Sequence, residues 1–235
     1  MLQTNPAASL HCVGHSLGAH TCGFAGKSLA KLGLGLERIS ALDPAGPLFL
    51  KTFFRGGVNT EDDAAARLTA SDADFVSAIH TDAMFYGSRV AVGHVDMYPG
   101  HAGRWGTGQS GYKKYFQHLA CHISECVTHF RFDLVDDVVG GSHNMAITLY
   151  AASVNNRWIT VRMRMTAAMH VLKLNIACCS CSAWKRCSNT TSGSCSYLDP
   201  GSRPRMGHQL SAATPAGQYA VVTYQDSPYC RWGLA

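Results

Sequence analysis

Short apolar runs alternate with glycine- and proline-rich breaks along this chain, and none is long enough to cross a membrane as a helix. Ser9 to Val13 predicts a strand, and Cys22, Ala25, Leu29 and Leu32 recur at helical spacing until Gly33 and Gly35 stop the helix. Arg38 to Leu42 predicts a second strand, which ends on Asp43-Pro44. Val76 to His80 and Val90 to Met97 predict two more strands, and Tyr219 to Tyr224 a last one. Between Trp158 and Lys173, Val161, Met163 and Met165 alternate with Arg162 and Arg164, the period of an edge strand. Tyr98 to Gly111 reads as a glycine-rich loop, and no repeat or long linker divides the chain.

The junction between the first strand and the first helix is Gly14-His15-Ser16-Leu17-Gly18. A Gly-x-Ser-x-Gly sequence at a strand-to-helix turn is a nucleophile elbow: the tight bend lifts the serine above the sheet edge, and the glycines on either side avoid a clash. Ser16 is therefore the candidate nucleophile. The Leu17 amide, at the positive end of the helix, is a candidate oxyanion donor. In such folds the chain order is serine, acid, histidine. Asp43, ending a strand at the carboxyl edge of the sheet, is the best acid.

Four ordered blocks carry a wider likeness: Gly-His-Ser-Leu-Gly-Ala-His at 14–20, Leu-Asp-Pro-Ala-Gly-Pro at 42–47, Ile-His-Thr-Asp at 79–82 and Val-Gly-His-Val-Asp-Met-Tyr-Pro at 92–99. Together they resemble the pancreatic lipase family, which includes triacylglycerol lipases, lipoprotein lipase and phospholipases A1. The resemblance implies an α/β-hydrolase fold with a lid insertion, acting extracellularly on lipid esters at an oil–water or membrane interface. It also implies chemistry by a Ser-Asp-His triad through an acyl-enzyme. The family carries several strands, an export signal and half of the oxyanion hole ahead of the elbow, whereas Met1 lies a few residues before it. Residues 1–235 are thus expected to be the C-terminal part of one catalytic domain, N-terminally truncated and without the β-sandwich that follows in many relatives.

Among twelve histidines, the resemblance favours His143 as the base. The stretch Ile147 to Asn155 then matches the family helix without a gap, and the histidine is expected to open that helix. His129 competes but needs an inserted residue, and His122 fits less well. With His143 chosen, the lid spans about 112–141. The family's lid cysteines correspond to Tyr112 and Gly141, and its arginine two residues beyond the histidine is Met145. Cys121 and Cys126, inside the lid, offer a smaller closure instead.

The resemblance further implies a structural calcium ion before Ile-His-Thr-Asp, with Ala64 and Arg67 offering carbonyl oxygens, Asp72 a carboxylate, and Thr69 in place of a second family carboxylate. The competing reading is a solvated acidic loop near Glu61, Asp62 and Asp63. No cofactor is needed for the chemistry itself.

Composition leaves this picture in place. The 235 residues are 46% apolar and 15% charged, enough for one core, and a dispersed net charge of +5 gives no nucleic-acid footprint. Of ten cysteines, five crowd a loop at about 178–195, with Cys230 near the end; their spacing favours disulfides over zinc and an oxidising compartment. Cys12 and Cys22 read as small buried apolar groups beside the elbow. Asn189-Thr190-Thr191 is a glycosylation sequon. Three functions are compatible with these features: a secreted lipid-ester hydrolase, an impaired homologue that binds or stores lipid, and a soluble esterase or peptidase, which the long lid disfavours.

Overall fold

In the computed structural model, alternate residues of the strands at 38–42 and 75–79 face two separate cores, so both strands are buried on each side and read as almost unbroken apolar runs. The structure describes residues 9–47, 49, 64–82, 86–88, 90–99, 132–154, 159–161, 174–176, 183–189, 194–221 and 223. Its strands are β1 (His11–His15), β2 (Arg38–Leu42), β3 (Phe75–Ile79), β4 (Val95–Pro99), β5 (Ile159–Val161), β6 (Leu174–Ile176), β7 (Ala183–Asn189), β8 (Ser194–Tyr197) and β9 (Gly217–Val221). Seven of them form one sheet in the order β1-β2-β3-β4-β9-β7-β8. Pairing is parallel from β1 through β9 and antiparallel at β7 and β8.

Helix α1 (Leu17–Lys31) covers one face, packing Ala19 and Cys22 on Ile39, Ala41, Val76 and Ala78. Helix α2 (Phe132–Val154) covers the other, packing Ala146, Leu149 and Tyr150 with Leu42, Phe75, Ile79, Val95 and Met97. This is the expected α/β-hydrolase arrangement. No helix among the described residues is long and apolar enough to cross a membrane.

Several expectations change. The buried stripe of α1 is Ala19, His20, Cys22, Gly23 and Gly26, whereas Ala25 is exposed and Leu32 is 74% exposed. The helix packs through glycines, which a hydrophobic count ignores. Val90 to His94 is not strand; β4 begins at Val95. Of the alternating stretch after Trp158, Val161 ends β5, which pairs with β6 in a separate two-stranded sheet, and Arg162, Met163, Arg164 and Met165 lie outside the described residues. Cys12 and Cys22 form a disulfide with Cα atoms 5.8 Å apart. The strand–bend–helix path folds the chain back on itself and brings both within bridging range. Cys187 in β7 is also disulfide-bonded. The last ten residues of the expected lid, 132–141, belong to α2. Residues 112–131, with His122, His129, Cys121 and Cys126, lie outside the described residues, as do Glu61, Asp62, Asp63, Cys178, Cys179, Cys181 and Cys230.

Candidate active site

Ser16 and Asp43 are the two non-glycine residues at positive φ among those described, at 56° and 45°. Such backbone costs of order 1–3 kcal/mol at each position and persists only where the surroundings impose it. At Ser16 the constraint is visible. Its N–H donates to the Leu42 carbonyl at 3.0 Å, and its own carbonyl accepts from Ala19 N at 3.1 Å and Ala45 N at 3.2 Å. Gly14 is required by contact, because a Cβ there would overlap the Gly18 carbonyl. Gly18 is not held by the same demand, since an added Cβ meets no described atom within 4 Å. The Leu17 N–H opens α1 and belongs to the first turn, whose amides lack intrahelical acceptors.

Asp43 is fully buried at the end of β2. Its Oδ1 accepts the Thr81 and Asp82 amides at 2.8 and 3.1 Å, and Oδ2 accepts Asp82 N at 3.1 Å. Among the described residues, His143 Nδ1 also meets this carboxylate, 2.6 Å from Oδ2. The acid and the base chosen from sequence thus meet across 100 residues. His143 lies inside α2 rather than opening it, because the helix begins at Phe132. Met145 packs against the α2-side core, so the position that carries charge in the family contributes apolar contact here.

Neighbouring rings fix the imidazole. His15 lies 4.4 Å from the His143 ring and donates from Nε2 to the His143 carbonyl at 3.1 Å; Tyr86 lies 5.6 Å away. Burial lowers the pKa of His15, and the nearby His143 adds to that effect, outweighing the hydrogen bond to the His143 carbonyl and the pull of Asp43. His20 ties the elbow helix to two loops, donating to Ala45 O at 3.0 Å and accepting from Leu68 N at 3.1 Å. Burial likewise lowers its pKa, which suits a neutral ring that both donates and accepts.

His80 anchors the amides that hold Asp43. Its Nε2 meets Asp96 Oδ1 at 2.8 Å and its Nδ1 donates to Ser88 O at 2.7 Å. Burial pushes the His80 pKa down, but the hydrogen bond and charge of Asp96, aided by Asp43, outweigh it and the net shift is upward. The charged form is thus favoured by folding, and its stabilisation is complete below 6.5, the ordinary histidine value, and is lost as pH rises through the higher folded-state value. In urea titrations from pH 6 to 9, the stability gap between wild type and His80→Gln is expected to narrow as pH climbs. A constant gap would refute the charge assignment.

Gly87 lies directly against the Asp43 carboxylate. A Cβ there would sit 2.5 Å from both Asp43 carboxylate oxygens. Gly87→Ala is therefore expected to destabilise the fold by about 1–3 kcal/mol, read as a lower urea midpoint with an unchanged slope.

The loop expected to hold calcium contains a protein cation. Lys27 Nζ donates to both Asp72 oxygens at 2.6 Å and to the Arg67 carbonyl at 2.8 Å. Thr69 supplies two further donors to the same carboxylate. Ala64 begins an exposed 3-10 turn nearby in sequence. A calcium ion needs six to eight free oxygen ligands, so the set Ala64, Arg67, Thr69 and Asp72 does not fit the ion as arranged. Lys27, His15, His20, His80, Thr81, Asp82 and Gly87 were not assigned roles from sequence, although all but Lys27 and Gly87 lie within the quoted blocks.

A family model described as Lipase matches residues 2–229. Lipase member H of Rattus norvegicus is 38% identical over 149 residues, which are 63% of this chain and 26% of that protein. Phospholipase A1 of Vespa basalis is 36% identical over 127 residues, covering 53% and 39%, and phospholipase A1 of Vespula squamosa is 45% identical over 92 residues, covering 39% and 27%. The chain thus spans well under half the length of these relatives. The bounds of the family match enclose the bend at Ser16, the strand that ends at Asp43 and the helix that carries His143, and the chain belongs to the lipase family.

Proposed function

We propose that this protein is a secreted carboxylic-ester hydrolase of lipids, a triacylglycerol lipase or phospholipase A1, working through Ser16, His143 and Asp43. The observation that carries the reading is the buried 2.6 Å bond between His143 Nδ1 and Asp43, set beside the positive-φ bend at Ser16. Asp43 accepts the hydrogen bond from Nδ1–H and holds the proton on that nitrogen, which leaves Nε2 as the free base. Ser16 Oγ attacks the ester carbonyl while Nε2 takes its proton. The alcohol then leaves with that proton, and water cleaves the acyl-enzyme by the same relay. The Leu17 amide is one donor to the oxyanion.

Exposed apolar groups suit a lipid acyl chain: Leu17 follows the nucleophile directly, and Tyr86 stands beside the His143 ring. The Cys12–Cys22 disulfide and the bonded Cys187 accord with an oxidising, extracellular setting.

The test is turnover of emulsified triacylglycerol, phospholipid vesicles and a soluble short-chain ester, with fluorophosphonate labelling followed at Ser16. Labelling with turnover that rises sharply on the emulsion or vesicles is expected. Labelling with equal turnover of the soluble ester would favour a soluble esterase, and neither labelling nor turnover would leave a lipid-binding or storage homologue.

A further inference from the structure

Helix α1 approaches the 68–72 loop so closely that a Cβ on Gly26 would overlap the Asp72 carbonyl. The next residue, Lys27, is carried directly over that loop. An ammonium has three N–H donors, and here one goes to each Asp72 oxygen and one to the Arg67 carbonyl. Thr69 Oγ1 donates to Asp72 Oδ1 at 3.0 Å and Thr69 N donates to Oδ2 at 2.9 Å. Each carboxylate oxygen thus receives two hydrogen bonds, which uses its lone pairs in full. The Asp72 side chain is 2% exposed and that of Lys27 is 23% exposed.

A carboxylate and a backbone carbonyl converging on one positive centre form part of the coordination shell of a hard cation. At this position the centre is a nitrogen of the chain itself. We propose that Lys27 is a resident cation that takes the place of the divalent ion implied by the family resemblance, so that this protein orders the loop without calcium. The lysine has a structural consequence for the site. Asp72 leads into β3, beyond whose far end the Thr81 and Asp82 amides grip Asp43, while α1 begins next to Ser16. Lys27 therefore fastens together the two elements that present the nucleophile and orient the acid, and it acts only through them.

Full-length wild type, Lys27→Ser and Lys27→Arg are to be melted in chelator and in millimolar calcium, and calcium binding to wild type measured by calorimetry. Wild type is expected to melt within about 1 °C in both conditions and to show no stoichiometric calcium binding. Lys27→Ser strands a buried carboxylate and is expected to melt about 10 °C lower in chelator; calcium should restore part of that loss, because the vacated position accepts a cation. Lys27→Arg, which keeps the charge, should lose less and remain insensitive to calcium. Stoichiometric calcium binding by wild type, or a Lys27→Ser variant no more responsive to calcium than wild type, would overturn the proposal. If Lys27→Ser does not fold, the wild-type titration decides alone. None of these readouts uses turnover, so they stand or fall separately from the hydrolase reading.

Discussion

Replacing Ser16 with alanine is expected to lower kcat/KM for lipid-ester hydrolysis by about four to six orders of magnitude and to abolish fluorophosphonate labelling. The size follows from the division of labour at the site. In the proposed mechanism no acyl-enzyme forms without the hydroxyl, which leaves only direct attack by water, assisted by the oxyanion donor and substrate contacts. The fold should survive, because what holds the bend is backbone: Ser16 N to Leu42 O, with Ala19 N and Ala45 N to Ser16 O. Alanine also relieves nothing at φ 56°, since it carries the same Cβ, so stability should change by less than about 1 kcal/mol. A Ser16→Ala protein that melts normally yet retains a tenth of wild-type turnover would remove Ser16 from the mechanism.

The second large effect is expected at Asp43. Asp43→Asn should reduce kcat by about 10⁴-fold with little change in KM, the scale seen when the acid of a serine-hydrolase triad loses its charge but keeps its shape. Here the direction of the donors decides the outcome. Thr81 and Asp82 amides point at Oδ1, so the asparagine oxygen takes that position. The NH₂ group then replaces Oδ2, where it faces both the Asp82 amide and His143 Nδ1. An NH₂ cannot accept from the ring, so Nδ1 must become the acceptor and the proton moves to Nε2. The nitrogen needed to receive the Ser16 proton is then already occupied. Because the defect is one of tautomer, substrate affinity should hold while turnover collapses. A loss confined to KM would refute this account.

These predictions draw on different depths of the sequence. The elbow was legible because its signal is local: an apolar run, a Gly-x-Ser-x-Gly bend and a helical repeat follow in order within about twenty residues. Asp43 was legible because it ends a strand at the edge where ligands gather. His143 needed the family resemblance, since nothing in the spacing of twelve histidines selects one, and the structure brings it to Asp43. The face of α1 was misread for a physical reason. Hydrophobic periodicity counts large apolar side chains, whereas this helix is pressed to the loop through Gly23 and Gly26, and Ala25 and Leu32 turn outward.

The sequence by itself determined the order of elements, the bend at Ser16 and the chemical class of residues available around it, because each of these depends on neighbours along the chain. Only the tertiary structure decided which groups meet. The Cys12–Cys22 bridge, the amides on Asp43, the ring of His15 against His143 and the ammonium of Lys27 in the Asp72 loop are products of parallel strand register and helix packing. Most of these pairs are separated by tens of residues, so their contact is set by how the sheet is stacked and covered, which no local pattern of polar and apolar positions encodes.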